Sequence, residues 1–137
     1  MVKIIMGLKG SGKTKELVGL VCKAVSEGSG DVVVIEKERK LTYDIPYQAR
    51  LIDAGSYSIG SYEFLKGFIS GIHAGNYDIT HFFIDNFYKL VNDREEASVV
   101  EFVGWLAEYA ARENIEFVVS MSSDRAKCPE EIRQYLI

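Results

Sequence analysis

The sequence predicts an α/β fold, a three-layer arrangement in which a mostly parallel β-sheet lies between helices. Three observations predict it. The apolar runs Val32-Val33-Val34-Ile35, Phe82-Phe83-Ile84 and Phe117-Val118-Val119 have the unbroken character of strands covered on both faces. Longer segments with apolar residues at helical spacing separate them. The first strand-to-helix connection is the glycine-rich stretch Gly7-Leu8-Lys9-Gly10-Ser11-Gly12-Lys13-Thr14. Alternation of this kind calls for right-handed crossovers and a sheet buried by its own helices.

The elements follow in order. Val2-Lys3-Ile4-Ile5-Met6 reads as a short buried strand leading into the glycine loop. Leu17, Val18, Leu20, Val21, Ala24 and Val25 form one apolar face of the next helix, which Gly28-Ser29-Gly30 stops. The run from Val32 is the second strand. Residues 37–60 are polar, tyrosine-bearing and interrupted by Pro46 and Gly55, with a short edge strand expected at 49–52. Helical spacing resumes at Leu65, Phe68, Ile69 and Ile72 and ends at Gly75-Asn76; His81 to Asp85 is then the third main strand. Asp93, with Glu96 three residues on, has the pattern of a capping box for a helix buried through Val99, Val103, Leu106 and Ala110. Phe117 to Ser120 is the fourth main strand. Pro129 suits the first turn of a short last helix carrying Ile132, Tyr135 and Leu136.

At 137 residues, 47% apolar and 26% charged, the chain has the size and composition of one globular domain, 1–137, without repeat or linker. The net charge of −4 and the absence of a polybasic run argue against a direct nucleic-acid surface; Lys37, Arg39 and Lys40 alternate with Glu36 and Glu38 as in a solvated loop. Cys22 and Cys128 have no metal-ligand spacing, and Cys22 is expected to be a small buried hydrophobe. No apolar run approaches the ~20 residues of a membrane span and no secretory leader opens the chain, so a cytoplasmic location without membrane association is expected.

The glycine loop carries chemistry. Gly7, Gly10 and Gly12 permit backbone conformations that turn N–H groups inward around phosphate oxygens, and the following helix adds its positive end. Lys13 is placed to reach β- and γ-phosphates, and the Thr14 hydroxyl to ligate Mg²⁺. The second acid of such a site is Asp85, closing the apolar strand Phe82-Phe83-Ile84 at the sheet's carboxyl edge, where it would hold Mg²⁺ through a water. A turn-initiating Asp in Asp85-Asn86 is the competing structural reading.

Gly7 to Thr14 is similar to a Walker A motif and Phe82 to Asp85 to a Walker B motif, so the chain resembles a P-loop NTPase. No D-x-x-G follows Asp85 and no N-K-x-D occurs, which points to ATP rather than GTP. The four main strands most resemble the RecA-like, additional-strand group. That resemblance implies the core strand order 1-4-3-2, and brings Ser120 toward the γ-phosphate as a polar sensor; otherwise Ser120 is simply a strand-ending polar residue. It also leaves Lys3 on an exposed edge strand.

One departure stands out. Active ATPases of the group place a glutamate beside the Walker B aspartate or on a neighbouring strand to orient water; here Asn86 follows Asp85. Asn can bond a water but cannot take its proton. Glu36, ending the second strand, is the available substitute, against its reading as a loop carboxylate among basic residues. Arg94, Arg112 and Arg125 are the arginines open to a finger role. Three functions follow: a small ATPase or nucleotide switch with slow or partner-stimulated hydrolysis, a small-molecule kinase, or a non-catalytic ATP-binding assembly subunit acting with a protein partner or as a homo-oligomer. The kinase reading draws on a similarity of residues 6–17 to type II thymidine kinases, from which the chain departs in having Asp85-Asn86 for Asp-Glu and two unclustered cysteines for four zinc ligands. Tyr43, Tyr47, Tyr57 and Tyr62 are then candidates for an acceptor or base-stacking wall, or else half-buried loop residues.

Overall fold

The computed structural model describes all of residues 1–137. Five strands, β1 (Val2–Gly7), β2 (Asp31–Glu36), β3 (Arg50–Asp53), β4 (Ile79–Ile84) and β5 (Glu116–Ser122), form one sheet in the order β1-β5-β4-β2-β3, every pair parallel. This differs from the expected 1-4-3-2 because Arg50–Asp53 joins as a fifth strand outside β2 and renumbers those after it. In space the four main strands run first, fourth, third, second, then the added edge. The edge strand begins one residue later than expected, at Arg50.

Three helices, α1 (Lys13–Glu27), α2 (Tyr62–Ala74) and α3 (Glu96–Glu113), cover the sheet. Alternate strand residues sort into two cores, as the period of two demands. Ile5, Val32, Val34, Phe83 and Val118 pack with Leu17, Val21 and Ala24 of α1. Ile4, Val33, Phe82, Phe117 and Val119 pack with Leu65 and Ile69 of α2 and Phe102 and Leu106 of α3. The continuous apolar runs are therefore strands buried twice over. No helix is long and apolar enough to cross a membrane.

Local sequence sets the helix ends. Gly28 takes the left-handed conformation (φ 63°) that closes α1, and the Ser61 hydroxyl accepts the Phe64 N–H at 3.1 Å to open α2. The expected capping box at α3 does not form. The helix starts at Glu96 with Glu95 at its cap, and the Asp93 carboxylate instead accepts the Glu95 N–H at 2.9 Å in a side-chain turn. The last helix is a 3₁₀ segment, Glu130–Tyr135, with Pro129 before it rather than in its first turn. Cys22, expected to be buried, is exposed: it follows Val21 off the apolar stripe and faces solvent. Nor is β1 a bare edge. Leu136 bridges to Ile4, Ile137 donates to the Ile4 carbonyl, and Lys3 is half-buried with its ammonium 2.8 Å from Glu116.

Candidate functional site

The order β1-β5-β4 brings three strand ends side by side at the carboxyl edge of the sheet. Gly7 ends β1 opposite Ser122, Ile5 pairs with Ser120, and Ile84 pairs with Val119, so Asp85 emerges beside Ser120. The Asp85 N–H extends the ladder to the Ile35 carbonyl at 2.9 Å, fixing where its carboxylate leaves the sheet.

The loop from Gly7 to Thr14 folds over this edge. Gly10 (φ 85°) and Gly12 (φ 87°) sit in the left-handed region, which explains glycine at both. At Gly7 a β-carbon would overlap the Ser11 hydroxyl, which would have to turn away. Ser11 donates its N–H to the Leu8 carbonyl at 3.1 Å, and the first helical bond runs from Glu16 to Gly12. From Gly12 to Lys15 no backbone N–H finds an acceptor within the chain. These donors and the positive end of α1 point the same way.

The loop and the sheet edge enclose a cavity of about 370 Å³. Lys9, Gly10, Gly12, Lys13, Thr14 and Lys15 line it from one side, and Asp85, Asn86, Ser120 and Ser122 from the other, without a single apolar side chain. Leu8 and Ser11, expected in the same site, are loop residues outside this lining, and Leu8 is exposed. Lys13 folds back so that its ammonium donates to the Leu8 carbonyl at 2.9 Å. Burial lowers its proton affinity, and the nearby Asp85 carboxylate works against that. The Thr14 hydroxyl lies 3.4 Å from Asp85 Oδ1.

Ser120 has a different place from the one expected of a sensor. It is 1% exposed, donates to Asp85 Oδ1 at 3.0 Å and accepts the Asn86 N–H at 2.7 Å. Its one proton is thus committed to Asp85. Asn86 itself is left-handed (φ 51°), with its amide oxygen 3.4 Å from the Ser122 hydroxyl. No sequence motif marks Ser122, although the period of two from Ser120 puts it on the same side of β5.

Glu36 is not a loop carboxylate. It closes β2, is 2% exposed, and accepts the Leu41 N–H at 3.2 Å. Burial raises its proton affinity above the ordinary carboxylate value, and Asp85 and Asp53 push the same way against the bond from Leu41. Glu36 lines a smaller cavity of about 90 Å³, with Thr14, Asp85 and Asn86 common to both cavities. Lys37, Glu38, Lys40 and Lys89 complete its wall. Within that wall Glu38 bridges Lys40 (2.6 Å) and Lys89 (2.7 Å), which together hold its carboxyl down to about 2.

The remaining candidates disperse. Arg94 donates to the Ser122 carbonyl at 3.1 Å and lies 4.3 Å over the Tyr88 ring. Arg125 donates to the Met6 and Ile137 carbonyls, and Arg112 pairs with Glu113; none of the three lines the cavity. The tyrosines form no common wall. Tyr43 and Tyr47 are 99% and 93% exposed, while Tyr62 is buried against Phe102. His73, bonded to the Tyr109 hydroxyl at 2.7 Å, and His81, 3.0 Å from Glu116, lie apart from this edge.

No protein-family model matches the chain, and no curated protein matches it.

Proposed function

We propose that this chain is a P-loop protein of the α/β/α three-layer type that binds ATP with Mg²⁺ and turns it over slowly when only water is available. The observation that carries the reading is the cavity, lined by no apolar residue, in which unpaired amides, Lys13, Thr14 and Asp85 converge. A polyphosphate is the ligand such a set of donors suits: fixed amides and a helix N-terminus for its oxygens, and a lysine as point charge. The Thr14 hydroxyl and Asp85 carboxylate are hard oxygen donors within 3.4 Å of one another, a pair that fits Mg²⁺ sharing its remaining positions with phosphate oxygens and water. Bound there, Mg²⁺ would neutralise charge on the β- and γ-phosphates. ATP is favoured over GTP by the missing guanine motif.

Slow turnover follows from the side chains near the γ-phosphate end. Asn86 cannot take a proton from water. Glu36 can, but it lines the neighbouring small cavity and reaches the main one only across Thr14, Asp85 and Asn86. The chain's own residues thus bind and orient the nucleotide, while the proton acceptor stands on the far side of Asp85.

Calorimetric titration with Mg²⁺ and a non-hydrolysable ATP analogue tests the binding. Lys13→Ala is expected to abolish both the heat of binding and the thermal stabilisation by nucleotide. An unchanged melting shift in that variant would sink the assignment. A second reading, transfer of the γ-phosphoryl group to an acceptor, is favoured by the position of Glu36 between two cavities.

A further inference from the structure

We infer that the chain has a second small-molecule site, for a hydroxyl-bearing organic anion that receives the γ-phosphoryl group of ATP; this rests on the nucleotide reading above. Beyond the small Glu36 cavity lies a third, of about 410 Å³, within the range of metabolite-binding pockets. Lys37 and Lys89 line both, so the three cavities succeed one another along the carboxyl edge of the sheet. Glu36 stands at the middle of that succession.

The walls of the third cavity define its ligand. Lys37 makes no ion pair within the chain, and Lys89 shares Glu38 with Lys40, so cationic charge is available at the inner end. The far wall offers Ser58, Asn92 and the Tyr57 ring, which is 54% exposed and can be covered by a flat or carbon-rich body. An anionic group between the lysines would sit where the third cavity meets the small one that Glu36 lines. Gly55 keeps this wall close, because a β-carbon there would come within 2.6 Å of the Lys37 carbonyl oxygen.

The reaction balances without further reagents. The acceptor hydroxyl oxygen bonds to the γ-phosphorus, and the bond from that phosphorus to the β–γ bridging oxygen breaks. ADP leaves with the electron pair, and the hydroxyl proton passes to the Glu36 carboxylate and on to solvent. A carboxylate with raised proton affinity, fixed by the Leu41 N–H, is suited to that transfer. Asn86, a defect for hydrolysis, then protects ATP from water until an acceptor is seated.

The test uses the full chain saturated with Mg²⁺ and a non-hydrolysable ATP analogue, so that the first site is filled. Inorganic phosphate is titrated in as the anion probe while backbone amides are followed by NMR. Amides of residues 55–60 and 89–92 are expected to shift, those of 10–15 to stay still, and the shifts to vanish in the Lys37→Ala/Lys89→Ala double variant. With ATP in place of the analogue, a deproteinised small-molecule extract of growing cells is expected to raise ADP release, and Glu36→Gln to cut the stimulated rate by about 10²-fold or more. If the analogue binds but phosphate moves none of these amides, the second site is overturned and the nucleotide reading stands. If phosphate binds but the extract gives no stimulation, the transfer is overturned. If the analogue itself does not bind, the failure lies with the nucleotide reading.

Discussion

Removing the Ser120 hydroxyl tests whether Asp85 is held in place by the fold. Ser120 is 1% exposed and its oxygen serves two partners, Asp85 Oδ1 at 3.0 Å and the Asn86 N–H at 2.7 Å. Ser120→Ala deletes a hydrogen bond to a charged group, worth about 1.5–3 kcal/mol, and leaves a backbone donor unpaired at about 1–3 kcal/mol. One hydroxyl makes both contacts and its own burial cost disappears with it, so the two figures do not simply add; a loss of about 2–3 kcal/mol is expected. For a domain of this length that is a fall in Tm of roughly 6–12 °C. Urea denaturation gives the free energy directly. A double-mutant cycle with Asp85→Asn then isolates the coupling, expected at 1 kcal/mol or more, about what a charge-assisted bond contributes. The Mg²⁺ requirement for nucleotide binding is expected to weaken in the same variant, because Asp85 loses one of the contacts that orient it. A stability change below about 0.5 kcal/mol with additive energies would refute the argument.

Other consequences are testable separately. Glu36→Gln keeps an acceptor for the Leu41 N–H while removing a buried charge, so the variant is expected to be more stable than the parent at neutral pH in thermal melts. The pH dependence has a definite sign. The folded-state proton affinity of Glu36 is raised by burial and by Asp85 and Asp53, so its contribution favours folding most below the ordinary value of 4.5 and declines as pH rises through the folded value; this slope is expected to be missing in Glu36→Gln. Gly67 and Gly71 lie within α2 at ordinary helical angles, and a β-carbon at either meets nothing within 4 Å. Gly67→Ala and Gly71→Ala are therefore each expected to stabilise the chain by about 0.5–1 kcal/mol in denaturant titrations.

Much of the fold is legible in the sequence because it is written in patterns that local physics enforces. A run such as Val32-Val33-Val34-Ile35 has no solvent face to offer, so it is a strand between two helical layers wherever the topology places it. The glycine loop is equally legible, since left-handed backbone at Gly10 and Gly12 excludes most other residues. What escapes depends on tertiary neighbours. Glu36 sits among Lys37, Glu38, Arg39 and Lys40 and reads as solvated, yet as the last residue of β2 it is sealed by the segment that turns back at Leu41. Cys22 misleads in the opposite sense: one step beyond Val21 is enough to leave the stripe. The Asp93 pattern has two local outcomes, a helix cap and a side-chain turn, and the chain adopts the turn.

The insertion of β5 between β1 and β4 is what joins these parts. Without it Gly7 and Asp85 would end on neighbouring strands with nothing between them. With it, Ser120 and Ser122 stand in the gap, one bonded to the acid and the other beside the asparagine that follows it. β2 pairs on the other side of β4 and brings Glu36 there, so that Asp85 stands between the main cavity on one side and a buried carboxylate on the other. A glutamate at position 86 would activate any water that entered. Glu36, one strand over, lines the small cavity that shares Asp85 and Asn86 with the main one and Lys37 and Lys89 with the third. On the proposed reading, this strand order separates the residues that would hold a phosphate from the one that would accept a proton.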